Sequence, residues 1–203
     1  MQIFKTTTNL KRFLDTCRDN NKIISLVPTM GGLHDGHLKL VDRAKEISDI
    51  VVVSIFVNPT QFARGEDFDD YPNTFSSDQK QLESKGVSAL FFPSRDEIYP
   101  DGIQNDYKVG AIGQILCGAF RPTHFDGVAQ AVKRFFKIVE PDYAIFGEKD
   151  FQQLAIIKSL VERLNLDINI ESVGTQREKD GLAMSTRNQY LSSEDRKKAP
   201  NFY

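Results

Sequence analysis

The run IVVVSIFV at residues 50–57 is apolar at odd and even positions alike, apart from Ser54. A strand with one face in water alternates apolar and polar residues, so this run predicts a central strand that is covered on both faces. Further short apolar runs occupy residues 23–27, 89–92, 143–146 and 168–173. Between them, apolar residues at helical spacing predict helices over residues 9–19, 36–48, 74–85 and 111–120, and after Gly127 and Asp150. The alternation predicts an α/β fold, in which a parallel sheet has helices on both faces.

The first predicted strand leads into PTMGGLHDGH at residues 28–37, a glycine-rich turn with two histidines. In an open α/β sheet, such a turn places free backbone N–H groups and the positive end of the next helix dipole beside a ligand. The glycines Gly31, Gly32 and Gly36 leave room for a phosphate, and His34 and His37 add hydrogen-bond donors. The turn therefore predicts a nucleotide site. The alternative is that the glycines serve only a tight turn and that a histidine only caps or packs.

Two more predicted strands end in residues suited to the same edge of the sheet. Strand 50–57 is followed by Gln61, whose amide both donates and accepts hydrogen bonds. Strand 143–146 is followed by GEKD at residues 147–150, where Lys149 is placed to pair with phosphate oxygens. Charged or turn-rich segments predict irregular connections over residues 64–72 and 94–110 and a polar loop over residues 176–188.

Charge and cysteine content exclude several other classes of protein. The 203 residues carry a formal net charge of −2 at pH 7, which gives no general attraction to nucleic acid or to anionic membranes. No apolar run is long enough to span a bilayer and residues 1–7 lack a signal-peptide core, so we expect a cytoplasmic protein. Cys17 and Cys117 lack metal-ligand spacing, and Cys17 shares an apolar helical face, so we expect neither a disulfide nor a zinc site.

Four ordered segments together resemble the pantoate–β-alanine ligase (pantothenate synthetase) family. They are PTMGGLHDGH at residues 28–37, FVNPTQF at 56–62, GEKDFQQ at 147–153 and MSTRN at 184–188. The resemblance also covers RPTHFDG at residues 121–127. It implies a Rossmann-like, doubly wound parallel sheet, related to that of HxGH nucleotidylyltransferases and class I aminoacyl-tRNA synthetases. It further implies an AMP-forming acid–amine ligase of pantothenate and coenzyme A biosynthesis, which joins (R)-pantoate to β-alanine through a pantoyl adenylate and releases pyrophosphate.

The resemblance also implies roles for individual residues. The expected catalytic residues are His37, His34 and Lys149. The expected ATP-binding residues are Met30, Gly31, Gly32, His34, His37, Gly147, Glu148, Lys149, Asp150, Gln176, Met184, Ser185, Thr186 and Arg187. Those expected to hold pantoate or β-alanine are Gln61, Gln153, Arg121 and His124. Magnesium is expected on the ATP phosphates, with Asp78 as a nearby acid, for which the alternative is a solvated position on a helix.

Domain organisation and assembly follow from the same resemblance. It implies an ATP- and pantoate-binding domain over residues 1–175 and the beginning of a C-terminal lid domain over residues 176–203, most of which we expect to be absent. Within the second region, SSED at residues 192–195 predicts the start of a helix. The resemblance also implies a homodimer. Two other functions remain open, a nucleotide-binding module without turnover and an HxGH nucleotidylyltransferase for another small substrate.

Overall fold

The computed structural model describes residues 1–63, 65–104 and 107–202. The strands are Gln2–Phe4 (β1), Ile24–Thr29 (β2), Ile50–Ile55 (β3), Ala89–Phe91 (β4), Tyr143–Gly147 (β5) and Asn169–Val173 (β6). The α-helices are Thr7–Asp19 (α1), Asp35–Ile47 (α2), Phe75–Ser84 (α3), Arg95–Ile98 (α4), Cys117–Phe120 (α5), His124–Val139 (α6), Phe151–Arg163 (α7) and Ser193–Lys198 (α8). Short 3₁₀ helices occupy Pro59–Gln61, Ala111–Gln114, Glu148–Asp150, Thr186–Tyr190 and Ala199–Phe202.

The six strands form one parallel sheet in the order β1-β4-β3-β2-β5-β6. From β2 the chain adds β3 and β4 on one side and later returns to add β5 and β6 on the other. The direction of winding therefore reverses between β2 and β5. In open α/β sheets, such a reversal leaves a crevice at the carboxyl ends of the two strands, and ligands bind there. The predicted doubly wound sheet is confirmed.

Helices cover both faces of this sheet. On one face, α1, α6 and α7 contribute residues such as Leu14, Phe135 and Leu160 to a core that also contains Val52 of β3. On the other face, α2 and α3 pack on a second core, to which β3 contributes Val53. Because neighbouring residues of β3 enter opposite cores, both of its faces are buried, as its continuous apolar run predicts.

Several element boundaries differ from the prediction. Strand β1 was not predicted, since three residues carry too little pattern, and it pairs with β4 at the sheet edge. Helix α1 begins two residues before Asn9, because the Thr6 side chain accepts a hydrogen bond from the Asn9 N–H and caps the helix. Helix α6 begins at His124, ahead of Gly127. The predicted helix over residues 111–120 is broken at Leu116, whose φ of 48° is incompatible with a continuous α-helix.

The connections contain more structure than the sequence indicates. The polar loop over residues 176–188 contains a bridge between Arg177 and Ala183 and runs into a 3₁₀ helix. The predicted helix start at residues 192–195 is confirmed, since Ser192 caps α8. Three residues of the predicted irregular connections, Arg64, Asn105 and Asp106, lie outside the described residues, and so does Tyr203. Within the part of the chain that is described, no helix is both long and apolar enough to cross a membrane.

Candidate active site

A cleft opens at the carboxyl ends of β2 and β5, where the winding of the sheet reverses. Its wall brings together most of the residues that the sequence singled out. Those lining it are Met30, His34, His37, Gln61, Gly147, Lys149, Asp150, Gln153, Gln176, Met184, Ser185, Thr186 and Arg187. Six other candidates do not line it, namely Gly31, Gly32, Asp78, Arg121, His124 and Glu148.

The two histidines stand at the start of α2 with their ring centroids 4.1 Å apart. The His34 ring caps the helix, since its Nδ1 accepts a hydrogen bond from the Gly36 N–H at 3.1 Å. The Nδ1 of His37 in turn accepts one from the His34 N–H at 3.3 Å. Gly36 is required by the cap itself, because a Cβ there would lie 2.8 Å from the His34 Cε1 atom. The capping alternative and the binding prediction are thus compatible, since His34 both caps α2 and lines the cleft.

Both histidines are held in the neutral form. Burial lowers the pKa of His37 from 6.5 to about 3, with smaller contributions from His34 and Lys149. Burial also lowers the pKa of His34, and the charge of Lys149 adds to the effect. In a neutral imidazole whose Nδ1 accepts a hydrogen bond, the proton lies on Nε2. Each ring therefore presents an Nε2–H donor without carrying a charge of its own.

The glycine turn before the histidines is held by Asp78, at the start of α3. This carboxylate is only 1% exposed. It accepts the Gly32 N–H through Oδ2 and the Leu33 N–H through Oδ1, both at 2.9 Å, and the Thr74 hydroxyl lies 3.1 Å from each oxygen. The solvated alternative for Asp78 is therefore wrong. Because a buried charge must be paired or hydrogen-bonded, Asp78 is explained by the turn that it holds.

Gly31 and Gly32 serve this turn and its packing. Their φ angles are 88° and 64°, in the left-handed region that glycine adopts without strain. A Cβ on Gly32 would lie 2.3 Å from the Cγ2 atom of Thr186. The Thr186 hydroxyl also donates to the Gly32 carbonyl at 2.9 Å. Neither glycine is among the residues that line the cleft, and both fit closely against the neighbouring chain, so their expected contact with ATP stays a prediction.

The β5 side of the cleft carries the basic residue expected there. Lys149 pairs with Asp150, with 3.1 Å between Nζ and Oδ1, and both side chains line the cleft. Gln153 follows on the first turn of α7 and also faces the cleft. Glu148 is directed elsewhere, since its Oε1 accepts the Ser172 hydroxyl at 2.9 Å. The predicted turn thus contributes Lys149, Asp150 and Gln153, whereas Glu148 secures β6.

Asn58 is a cleft residue that sequence reasoning missed. It follows β3 and is 2% exposed. Its Nδ2 donates to Gln61 Oε1 at 3.2 Å and to the Gly127 carbonyl at 3.1 Å, while Tyr99 donates its hydroxyl to Asn58 Oδ1 at 2.8 Å. The Gln61 amide is thereby oriented with its Nε2 3.0 Å from the Met30 sulfur. The sequence did contain a signal for Asn58, since it is a polar residue directly before Pro59, at the end of a buried strand.

Arg121 and His124 lie behind the wall, next to Gln61. His124 Nδ1 is 2.7 Å from the Gln61 carbonyl oxygen, and Arg121 Nη1 is 3.1 Å from His124 Nε2. Burial lowers the pKa of His124. A neutral His124 ring can donate from Nδ1 to the Gln61 carbonyl and accept at Nε2 from Arg121. The neutral form therefore satisfies both hydrogen bonds. These two residues support Gln61 and do not line the cleft themselves.

The segment at residues 184–188 contributes its first four residues to the cleft wall. The Ser185 hydroxyl accepts the Arg187 N–H and caps the 3₁₀ helix that follows. The Arg187 guanidinium pairs with Asp67 through two hydrogen bonds of 2.8 and 3.0 Å. It also lies 5.5 Å from the centroid of the Tyr71 ring, which favours a cation–π contact. The cleft is thus lined by a second basic residue, Arg187, in addition to Lys149.

Sheet topology and cleft together define a class of protein. The class is that of a Rossmann-like nucleotide-binding enzyme domain. Its features here are a parallel sheet with a reversal of winding, a helix that begins at the crevice, and basic residues that line the same crevice. The pantoate-beta-alanine ligase family model matches residues 2–203 of the sequence. The chain therefore belongs to the pantoate–β-alanine ligase family.

Individual relatives agree with this assignment. The chain is 51% identical to the pantothenate synthetase of Ruthia magnifica subsp. Calyptogena magnifica, over 100% of this chain and 73% of the relative. It matches the crystal structure of pantothenate synthetase from Thermus thermophilus with a TM-score of 0.94 and 45% identity, over 100% of this chain and 72% of that chain. It matches the pantoate-beta-alanine ligase from Francisella tularensis, complexed with beta-gamma ATP and beta-alanine, with a TM-score of 0.95 and 39% identity, over 100% of this chain and 78% of that chain. The predicted family, fold and ligase class are confirmed.

Proposed function

We propose that this chain joins pantoate to β-alanine with ATP, through a pantoyl adenylate, to give pantothenate, AMP and pyrophosphate. The observation that carries the proposal is the convergence, in one cleft, of the neutral pair His34 and His37, the cation Lys149 and the amides Gln61 and Gln153. The ATP and β-alanine named for the Francisella ligase structure support the same substrates here.

The first half-reaction uses the nucleotide side of the cleft. A carboxylate oxygen of pantoate attacks the α-phosphorus of ATP, and the bond to the β-phosphate oxygen breaks, so that pyrophosphate leaves with the electron pair. We propose that the Nε2–H groups of His34 and His37 and the Lys149 ammonium stabilise the charge that develops on the phosphoryl oxygens. The start of α2 adds its partial positive charge. Because the histidines are neutral, they donate hydrogen bonds without proton transfer.

The second half-reaction uses the acid side of the cleft. The amine of β-alanine attacks the acyl carbon of the adenylate, AMP leaves, and the amine proton is released. Gln61 and Gln153 are proposed to hold the pantoyl group while this happens. Asn58 fixes the Gln61 amide, so the folded chain already holds this amide in position before the substrate binds. We propose that Asp150 holds the ribose hydroxyls, that the Gln176 main chain contacts adenine, and that Met184, Ser185, Thr186 and Arg187 close over the nucleotide.

Magnesium is proposed to enter with ATP. Among the described residues, no group of three His, Cys, Asp or Glu side chains is placed to hold a metal ion, and the oxygens of Asp78 are engaged by the glycine turn. We therefore assign no metal ligand among the residues that the structure describes. Bound to the phosphates and water, the ion would screen their negative charge.

Three further features are part of this proposal. We propose that residues 1–175 form the ATP- and pantoate-binding domain and that residues 176–203 begin a lid domain. We also propose a homodimer and a cytoplasmic location. The chain spans 73% of the Ruthia relative and 72% of the Thermus chain that it matches.

The first test is pyrophosphate release from ATP and magnesium, with and without pantoate. We expect release that depends on pantoate, followed by AMP formation that depends on β-alanine. Release with another acid but not with pantoate would favour a nucleotidylyltransferase for a different substrate. ATP binding without any release would favour a binding module and would contradict the proposed catalysis.

A further inference from the structure

Two adjacent acids, Glu66 and Asp67, each hold one arginine, Arg121 behind the cleft wall and Arg187 in it. Glu66 accepts hydrogen bonds from Nε and Nη2 of Arg121 at 2.7 and 2.6 Å. Asp67 accepts them from Nε and Nη2 of Arg187 at 2.8 and 3.0 Å. We call Glu66 and Asp67 the acidic pair. Neither of them lines the cleft, so any effect that they have on the reaction must pass through their partners.

Glu66 is connected to the acid side of the cleft. Because it takes Nε and Nη2 of Arg121, the remaining Nη1 is directed to His124 Nε2, 3.1 Å away. His124 then holds the Gln61 carbonyl through Nδ1. Each contact restricts the next one, so the carboxylate of Glu66 fixes the main chain that carries the Gln61 amide. Bidentate contacts between arginine and carboxylate have the geometric specificity that such a chain of contacts requires.

Asp67 is connected to the nucleotide side in the same manner. It takes Nε and Nη2 of Arg187, whose guanidinium also lies against the Tyr71 ring. Within the described residues, Nη1 of Arg187 has no hydrogen-bond partner, and Arg187 lines the cleft. The contact with Asp67 therefore fixes the plane of the guanidinium and leaves its remaining N–H groups for a ligand.

Charge balance explains why the two acids occur together. Burial and, to a smaller extent, the charge of Arg121 work against the charged form of Arg187, whereas the contact with Asp67 raises its pKa above the usual value. The Arg121 hydrogen bonds lower the pKa of Glu66 to about 2, and those of Arg187 lower the pKa of Asp67. Both acids are thus ionised at neutral pH, and they neutralise the two cations that they position.

We propose that the acidic pair positions the two halves of the active site, Glu66 through Arg121, His124 and Gln61 for the acid substrate, and Asp67 through Arg187 for ATP. This proposal rests on the proposed function, since it assigns the two sides of the cleft to the two substrates. It goes further because it predicts that neighbouring residues of one loop have separable effects on different substrates.

The test compares Glu66→Gln with Asp67→Asn, which keep the shape of each side chain and remove its charge. For Glu66→Gln we expect the KM for pantoate to rise about tenfold, with the KM for ATP within about twofold of the wild type. For Asp67→Asn we expect the reverse, about a tenfold loss in ATP use with little change for pantoate. Asp69→Asn is the matched control, because Asp69 is an exposed acid of the same loop, and it should leave both constants unchanged.

Arg187→Lys keeps the cation but cannot make the two-pronged contact with Asp67, so it should reproduce the Asp67→Asn phenotype. The double variant Asp67→Asn/Arg187→Lys should then be no worse than either single change. Additive losses would show that Asp67 acts independently of Arg187 and would overturn its assignment. Arg121→Lys is the corresponding test for Glu66 if Glu66→Gln does not fold.

Calorimetric binding of ATP and of pantoate separates this proposal from the proposed function. If the wild type binds both but releases no pyrophosphate, the proposed catalysis fails, and the acidic pair is judged by the two dissociation constants alone. Selective weakening of pantoate binding by Glu66→Gln and of ATP binding by Asp67→Asn supports positioning. If either variant weakens the binding of both ligands equally, or weakens neither, the proposal is overturned. A purely structural role has no reason to distinguish the substrates.

Discussion

At the scale of single residues, burial keeps the two histidines neutral, and the contacts of their Nδ1 atoms decide which ring nitrogen carries the proton. Both Nδ1 atoms accept backbone N–H groups at the start of α2, so each ring can be neutral and still donate from Nε2. A cationic pair with centroids 4.1 Å apart would repel itself and the nearby Lys149. The turn thus provides two donors for an anion at neutral pH without the cost of burying two charges.

His37 should make folding stability depend on pH. The unfolded histidine takes up a proton near pH 6.5, whereas the folded one does so only near pH 3. The unfolded state therefore binds more protons between these values, and stability falls as the pH drops through this window. We expect the wild type to lose more unfolding free energy between pH 7 and pH 4 than His37→Asn, which has no titrating group at this position. Denaturant titrations at several pH values measure this difference, and parallel curves for the two proteins would contradict it.

At the scale of elements, helix α6 packs directly on the 3₁₀ helix Pro59–Gln61 because Gly127 has no side chain. A Cβ at Gly127 would lie 2.1 Å from the Thr60 carbonyl oxygen and 2.8 Å from the Gln61 nitrogen. The Gly127 carbonyl also accepts hydrogen bonds from Asn58 and Thr60, both at 3.1 Å. The position of Gln61 in the cleft is therefore set by how closely these two elements approach.

Gly127→Ala tests this packing. Alanine favours the helix by up to about 1 kcal/mol, but overpacking against backbone costs about 1–3 kcal/mol, so we expect a net loss of about 1–2 kcal/mol of unfolding free energy. We also expect the KM for pantoate to rise as Gln61 is displaced. Chemical denaturation and steady-state kinetics provide both measurements. A stabilised variant with an unchanged KM would show that α6 and the 3₁₀ helix separate without consequence.

Elements with a long apolar pattern in the sequence were predictable. Elements and boundaries that depend on contacts with other parts of the fold were not. The continuous apolar run of β3 predicts a buried strand, and the helical spacing of apolar residues in α6 predicts a helix. Strand β1 has no such pattern, and its assignment depends on pairing with β4. The early start of α6 and the break at Leu116 also escape the pattern, since the first depends on packing and the second on a positive φ. The sequence therefore indicates which elements exist better than where each one begins.

At the scale of the whole molecule, the site residues also divide into those that a local sequence pattern predicts and those that depend on contacts between distant parts of the chain. Those that follow β2 and β5 were predictable, because the topology brings the carboxyl ends of parallel strands to one edge. The contact of Asp78 with Gly32 joins positions 46 residues apart, and that of Thr186 with Gly32 joins positions 154 residues apart. No local pattern encodes such pairs. This is why neither expectation for Asp78, an acid near magnesium or a solvated helix position, included its contacts with the glycine turn, and why Asn58 and the acidic pair were not predicted.

The Thr186 contact with Gly32 should couple ATP binding to the closure of the cleft. The Thr186 hydroxyl ties the segment at residues 184–188 to the glycine turn of β2, and both are proposed to meet the nucleotide. In Thr186→Val a methyl group replaces the hydroxyl and cannot approach the Gly32 carbonyl as closely. We expect a loss of about 1 kcal/mol of unfolding free energy and weaker ATP binding, because the ligand must then order the segment itself.

Thr186→Ser is the matched control, since it keeps the hydroxyl. Thermal unfolding with and without ATP measures the coupling, because a ligand at about 100 times its Kd stabilises a protein by about 2.7 kcal/mol. At one fixed ATP concentration, the stabilisation should be smaller for Thr186→Val than for the wild type and largely retained for Thr186→Ser. Equal ATP stabilisation in all three proteins would contradict the coupling, since the segment would then close over the nucleotide without being tied to the β2 turn.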